Sequence, residues 1–295
     1  MNSILQWLSI NKELNRTPVI ILASYWTRRS FLQCGIGAAL AIALKEELLC
    51  SIPSHLIGYV KRDRFPMKTV RPESFATAGR LQTRPTQPTA TGFPGLHPLN
   101  LERQRDGLIY VPPTYRANQP APLLLMLHGA GGDAEGALRI VRELADPFGM
   151  IVLAVDSRQQ TWDVIINDYG PDIAFLDRAL AQTFDRYAIN PAQVAIAGFS
   201  DGASYALSVG ITNGDLFPHI LAFSPGFMTP AARNGMPRCF ISHGNRDTVL
   251  PIDQCSRRIV PQLQRAGYDV VYREFDGPHT VPGTIAREGI NWFTA

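Results

Sequence analysis

Lysine is scarce in this chain. Only four occur in 295 residues, at Lys12, Lys45, Lys61 and Lys68, and every later cation is an arginine or histidine. Positive charge as a whole is unevenly spread. Residues 1–90 carry 12 Lys+Arg against 5 Asp+Glu, whereas residues 91–295 carry 16 against 20. The larger part of the chain is therefore acidic, which argues against a nucleic-acid-binding core. Cysteine is also sparse. Cys34, Cys50, Cys239 and Cys255 form no C-x-x-C pair, so the usual zinc spacing is absent and no metal site is expected. Cys239 sits in an apolar run and reads as a small buried hydrophobe. A Cys239–Cys255 disulfide stays open for an oxidising compartment. The run Cys34–Leu44 spans eleven residues, too few to cross about 30 Å of hydrocarbon, so no stable transmembrane span is expected. There are no repeats, no G-K-[ST] phosphate loop and no full G-x-G-x-x-G, so no cofactor is implied.

What is present divides into three. In residues 1–50, Arg28-Arg29-Ser30-Phe31-Leu32 followed by the apolar run resembles a twin-arginine export signal, which implies a periplasmic or otherwise exported protein. No A-x-A cleavage site follows. Translation from Met67 would remove the signal and leave the protein in the cytoplasm. Residues 51–95 are broken by Pro53, Pro66, Pro72, Pro85, Pro88 and Pro94, and Thr83–Gly92 is of low complexity. They read as an extended or disordered linker. Residues 96–295 carry the regular patterning of a folded domain.

Within that domain, Val194–Ala197 is a short apolar run of the kind a buried parallel strand needs. Gly198-Phe199-Ser200-Asp201-Gly202 follows and fits G-x-S-x-G, the nucleophile elbow. Small residues around the serine leave room for its strained backbone. Ala203, Tyr205, Ala206, Leu207 and Val209 continue as a buried helix. By itself the pentapeptide matches many ordinary strand–helix turns, so the rest of the domain has to decide.

Further strands are predicted at 106–111, 123–127, 150–155, 219–223, 239–242 and 269–275. Helical spacing covers 133–148, 172–187, 252–266 and 282–293. Arg116–Pro122 and Asn190-Pro191 read as turns. The alternation predicts an α/β architecture with a mostly parallel sheet and helices on both faces. Three polar residues then follow separate strands in the order Ser200, Asp247, His279. A serine hydroxyl is a poor nucleophile at neutral pH, and His279 would take its proton. Asp247 would accept the second imidazole N–H and fix its tautomer. The backbone N–H groups of Ala130, in the loop His128–Asp133, and of Asp201 would receive an oxyanion. Each residue alone is most simply a solvated loop side chain; the ordered set is not. Asp253 and Asp276 are rival acids, and His128, His219 and His243 rival bases.

The stretches Leu-His-Gly-Ala-Gly-Gly, Gly-Phe-Ser-Asp-Gly-Ala, Ser-His-Gly-Asn-Arg-Asp-Thr-Val-Leu-Pro and Gly-Pro-His-Thr resemble the small serine esterases of the α/β-hydrolase superfamily. The phospholipase/carboxylesterase and polyhydroxybutyrate-depolymerase-like families are the nearest in pattern. Asp201 departs from their usual small residue, and Gln160 stands where a glycine is expected. The resemblance implies a cofactor-free hydrolase of small-molecule carboxylic esters working through an acyl-enzyme. A peptidase or thioesterase on the same residues, or a non-catalytic envelope binding protein on this fold, are the alternatives. Trp162, Phe199 and Phe227 are expected to wall the substrate pocket. Ser224–Arg238 holds three prolines and two glycines, too broken for a substantial helical lid.

Overall fold

The computed structural model describes residues 79–166 and 168–295. The arginine pair at 28–29, the apolar run 34–44, Cys34, Cys50, Met67 and most of the 51–95 stretch lie outside the described residues. Among the described residues, eight strands form one sheet: β1 (Gly95–Pro98), β2 (Gly107–Val111), β3 (Ala121–Leu127), β4 (Ile151–Val155), β5 (Ile189–Phe199), β6 (His219–Phe223), β7 (Arg238–Gly244) and β8 (Val270–Phe275). Their order is β1-β2-β4-β3-β5-β6-β7-β8. The β1–β2 and β2–β4 pairs are antiparallel, and every pair from β4 to β8 is parallel. This is the expected mostly parallel sheet.

Between them run α1 (Ala134–Ala145), α2 (Asp163–Ile166), α3 (Pro171–Arg186), α4 (Asp201–Thr212) and α5 (Ser256–Arg265), and α6 (Gly283–Thr294) follows β8. Strand side chains alternate between two cores. Leu123, Leu125 and Leu127 join the layer with α3, α4 and α5; Leu124 and Met126 join the layer with α1 and α6. Local signals explain several boundaries. Asp133 caps α1 by accepting the Gly136 N–H at 2.8 Å. Pro171 opens α3, where its missing N–H costs nothing.

Three stretches differ from the sequence pattern. The helix expected over 252–266 is a 3₁₀ turn at Ile252–Gln254 and then α5, because Cys255 takes non-helical angles between them. Asn190-Pro191 does not separate two elements; it is an outward excursion inside β5. There Ala192 N–H donates to Asn190 Oδ1, and the pairing with β3 jumps from Ala121↔Ile189 to Leu123↔Val194. The described end of the linker, residues 79–95, is fastened down rather than free. Leu81 is fully buried and its N–H donates to Asn213 Oδ1. Gln82 and Thr83 donate to Asp177, and Arg80 and Arg84 both pair with Asp215. Thr89, Ala90 and Gly92 in turn donate to the Asp185 and Arg186 carbonyls, so helix side chains and helix-end carbonyls together satisfy this stretch.

Cys239 and Cys255 are both buried free thiols, so no disulfide joins them. Residues 224–237 contain no helix, in keeping with the absence of a substantial lid there. Among the described residues, no helix is long and apolar enough to cross a membrane.

Candidate active site

The strand tips of β3, β4, β5, β7 and β8 bring the expected residues to one edge. Ser200 lies between β5 and α4 at φ 58° and ψ −120°, a backbone conformation costly for any residue with a Cβ. The residues two positions to either side, Gly198 and Gly202, have no room for a side chain. A Cβ on Gly198 would stand 2.2 Å from Gly202 O, and one on Gly202 would stand 2.4 Å from Leu127 O. The strained turn is held by Ser200 N–H, which donates to Phe223 O at 2.9 Å. Ser200 keeps 9% of its surface exposed.

His279 comes from the loop after β8. Its Nε2 is 2.8 Å from Ser200 Oγ, and its Nδ1 is 2.5 Å from Asp247 Oδ2. Asp247 comes from the loop after β7, and its side chain is fully buried. Burial alone would push its carboxyl up. The N–H groups of Leu250 and Val249 on Oδ1, with His279 on Oδ2, outweigh that and hold it below the usual carboxylate range. The rival acids stand elsewhere: Asp276 is exposed and pairs with Arg246, and Asp253 is exposed and pairs with Arg257.

The loop after β3 passes against the serine. A Cβ on Gly129 would lie 3.2 Å from Ser200 Cβ. Among the described residues, no acceptor engages the N–H of Ala130 or of Asp201, the groups expected to receive an oxyanion. The Asp201 carboxylate is turned aside to accept Thr161 Oγ1–H at 2.6 Å. Gln160 O accepts Gly131 N–H, so the unexpected Gln160 acts through its backbone.

The aromatic expectations divide. Phe199 lies beside the relay, its ring 4.7 Å from that of His279. Phe227 is half-buried on the loop after β6, which Ser204 Oγ ties to α4 by accepting the Gly226 N–H. Trp162 is not a pocket wall. It is fully buried, stacked on Tyr205 at 4.9 Å, with Nε1–H donating to His128 O at 2.9 Å. A tryptophan just past a strand tip can turn inward as readily as outward, and here the carbonyl of His128 satisfies its N–H.

Other residues build the site without having stood out in the sequence. Arg105, at φ 48°, sends its guanidinium to Gly132 O, Ser157 O and Ser157 Oγ. It thus joins the β3 loop to the β4 loop. His128 accepts Ser157 N–H at Nε2 and contacts Gly129 O through Nδ1. Burial pushes its pKa down, consistent with a neutral ring that donates from Nδ1. A single arginine before a short strand carries no pattern that marks such a role. Asp163 and Asp172 anchor the same loop from below. Asp172 takes the N–H groups of Arg158 and Asp163, and Tyr205 OH donates to Asp163. Burial pushes the Asp172 carboxyl up to about 6. Among the described residues, no cluster of His, Cys, Asp and Glu could hold a metal.

The comparisons agree with this architecture. The Esterase family model, described as "Putative esterase", matches residues 99–236. A protein of Aspergillus flavus named "Probable feruloyl esterase C" is 27% identical over 177 residues, 57% of this chain and 62% of that protein. This chain therefore spans less than two thirds of the curated relatives it matches. A phospholipase/carboxylesterase from Dyadobacter fermentans superposes with a TM-score of 0.51 at 21% identity, over 66% of this chain and 100% of that one. A ferulic acid esterase of Anaeromyces mucronatus, solved with ferulic acid, gives 0.51 at 18% identity, over 71% and 92%. The fold is that of the α/β-hydrolases.

Proposed function

We propose that this α/β-hydrolase cleaves small-molecule carboxylic esters through an acyl-enzyme on Ser200. The observation that carries the reading is the continuous relay from Ser200 Oγ to His279 to Asp247, at 2.8 and 2.5 Å, beside two unengaged N–H groups. His279 Nε2 takes the hydroxyl proton as Ser200 Oγ attacks the ester carbonyl. The N–H groups of Ala130 and Asp201 receive the oxyanion, and one such donor is worth roughly 3 kcal/mol in known enzymes. The imidazolium, steadied by Asp247, gives its proton to the departing alcohol. Water then enters, passes a proton to His279 and releases the acid, restoring Ser200.

The reading is tested with a panel of nitrophenyl esters of varied acyl length, with thioesters and amides alongside. Methyl ferulate joins the panel because relatives carry that name. Expected are ester hydrolysis by the native chain and its loss in Ser200→Ala. Hydrolysis that survives Ser200→Ala overturns the reading, and a preference for thioester or amide moves it to those substrates. With no helix in 224–237, rate should follow ordinary saturation with dissolved ester. Export through the Arg28-Arg29 segment is part of the proposal. Replacing both arginines by lysine should keep the protein in the cytoplasm, and unchanged fractionation would refute export.

A further inference from the structure

A second histidine reaches the acid of the relay. His243, the last residue but one of β7, is completely buried. Its Nε2 lies 2.8 Å from Leu250 O and 3.2 Å from Asp247 Oδ2. A carbonyl oxygen can only accept, so Nε2 carries the hydrogen and presents it to both oxygens. Its Nδ1 lies 2.6 Å from Ser256 Oγ, the first residue of α5. With Nε2 protonated, a neutral ring accepts the serine proton at Nδ1, and that fixes the tautomer. Burial pushes this imidazole below its ordinary pKa, in agreement with a neutral ring.

From this geometry we infer that His243 is a positioning residue for Asp247, tying the turn 247–250 to α5 so that Oδ2 faces His279. The inference rests on the relay proposed above. Asp247 then has four N–H groups around it: His279 Nδ1, His243 Nε2, and the amides of Val249 and Leu250. Two of these come from the turn itself and fix the carboxylate only relative to that turn. His243 is the group that links both Asp247 and Leu250 O to Ser256 at the head of α5. Without it, the buried carboxylate keeps its amides but can rotate away from His279. The residue never touches substrate.

The test compares two amides at position 243. A glutamine nitrogen reaches the place of histidine Nε2 and keeps the donor; an asparagine nitrogen reaches only that of Nδ1 and loses it. His243→Asn should lower kcat about 10- to 100-fold with KM little changed, the scale of a slightly misplaced catalytic group. His243→Gln should recover most of that loss. The proton of His279 Nδ1 facing Asp247 should give a low-field NMR signal that moves or broadens in His243→Asn and returns in His243→Gln. If His243→Asn does not fold, Ser256→Ala removes the ring's other anchor. It should displace the same signal and lower kcat about threefold. Native signal position and native kcat in whichever of these variants folds would overturn the inference. Native chain and Ser200→Ala are run beside them: ester hydrolysis lost in Ser200→Ala but unchanged in His243→Asn refutes only the positioning role, whereas no Ser200-dependent hydrolysis refutes the relay itself.

Discussion

Two His-Gly turns end two strands of the sheet, His128-Gly129 after β3 and His243-Gly244 at the end of β7. They solve the same problem for different halves of the machine. In each, the histidine is buried, held neutral, and spends its ring nitrogens on the chain that follows or adjoins it. In each, the glycine lets another segment come close. A Cβ on Gly129 would meet Ser200 Cβ at 3.2 Å, whereas one on Gly244 would meet Gly277 O at 2.4 Å and Pro278 O at 2.5 Å. In the proposed mechanism the first turn leads to the Ala130 N–H that would receive the oxyanion; the second brings Asp247 and His279 together. A histidine near the candidate site can thus serve by shaping turns, while a third, His279, is the one proposed to move the proton.

The largest losses are expected at the residues both turns serve. Ser200→Ala or His279→Ala should lower kcat by roughly 10⁴–10⁶, and the double variant should cost little more because the residues act as one unit. Steady-state rates on one nitrophenyl ester check this. If Asp276→Ala, not Asp247→Ala, crippled turnover, the acid would be misassigned.

The glycines sharpen the contrast between the two turns. Gly244→Ala forces the backbone before His279 to move and should lower kcat about 100-fold. Gly129→Ala meets a milder contact and should cost about tenfold. Equal losses at the two positions would show that the two turns are under the same steric pressure, against the distances.

A smaller effect separates the supports. Trp162→Phe keeps the ring in the core but removes the hydrogen bond to His128 O, at a cost of about 1 kcal/mol in unfolding free energy. Denaturant unfolding reads it, with labelling of Ser200 by a fluorophosphonate slowed but not abolished.

A further difference is in pH dependence, and it belongs to the loop after β4 that braces the first turn. Asp172 titrates at about 6 in the folded chain and near 3.9 when unfolded, so the native state holds a proton that the unfolded state has released. Stability from this group is therefore greatest at low pH and falls as pH rises from about 4 to about 6, then levels. Asp172→Asn should flatten that fall. An unchanged slope would remove Asp172 as its source.

Much of this was legible in the sequence because periodicity reports burial. The inner parallel strands are apolar runs, and Ser200 and Asp247 each follow one, whereas His279 follows the half-exposed edge strand β8. The supports were not. Arg105 acts through a left-handed backbone and a guanidinium reaching across the chain to Ser157, and neither leaves a local pattern. Trp162 could be placed beside a strand tip, but the side of the loop it faces depends on the His128 carbonyl. Residues 79–95 have a linker's composition, and what fixes them is Leu81 together with distant partners, Asp177, Asp185, Arg186, Asn213 and Asp215.

The central claim is that Ser200 carries the acyl group between two half-reactions. Intact-mass measurement of the chain, acid-quenched within milliseconds of mixing with a slow aryl ester, tests it directly. One acyl mass per chain, mapped to the Ser200 peptide and appearing before steady state, is the predicted result. Steady turnover with no adduct at any time, and undiminished in Ser200→Ala, would contradict it.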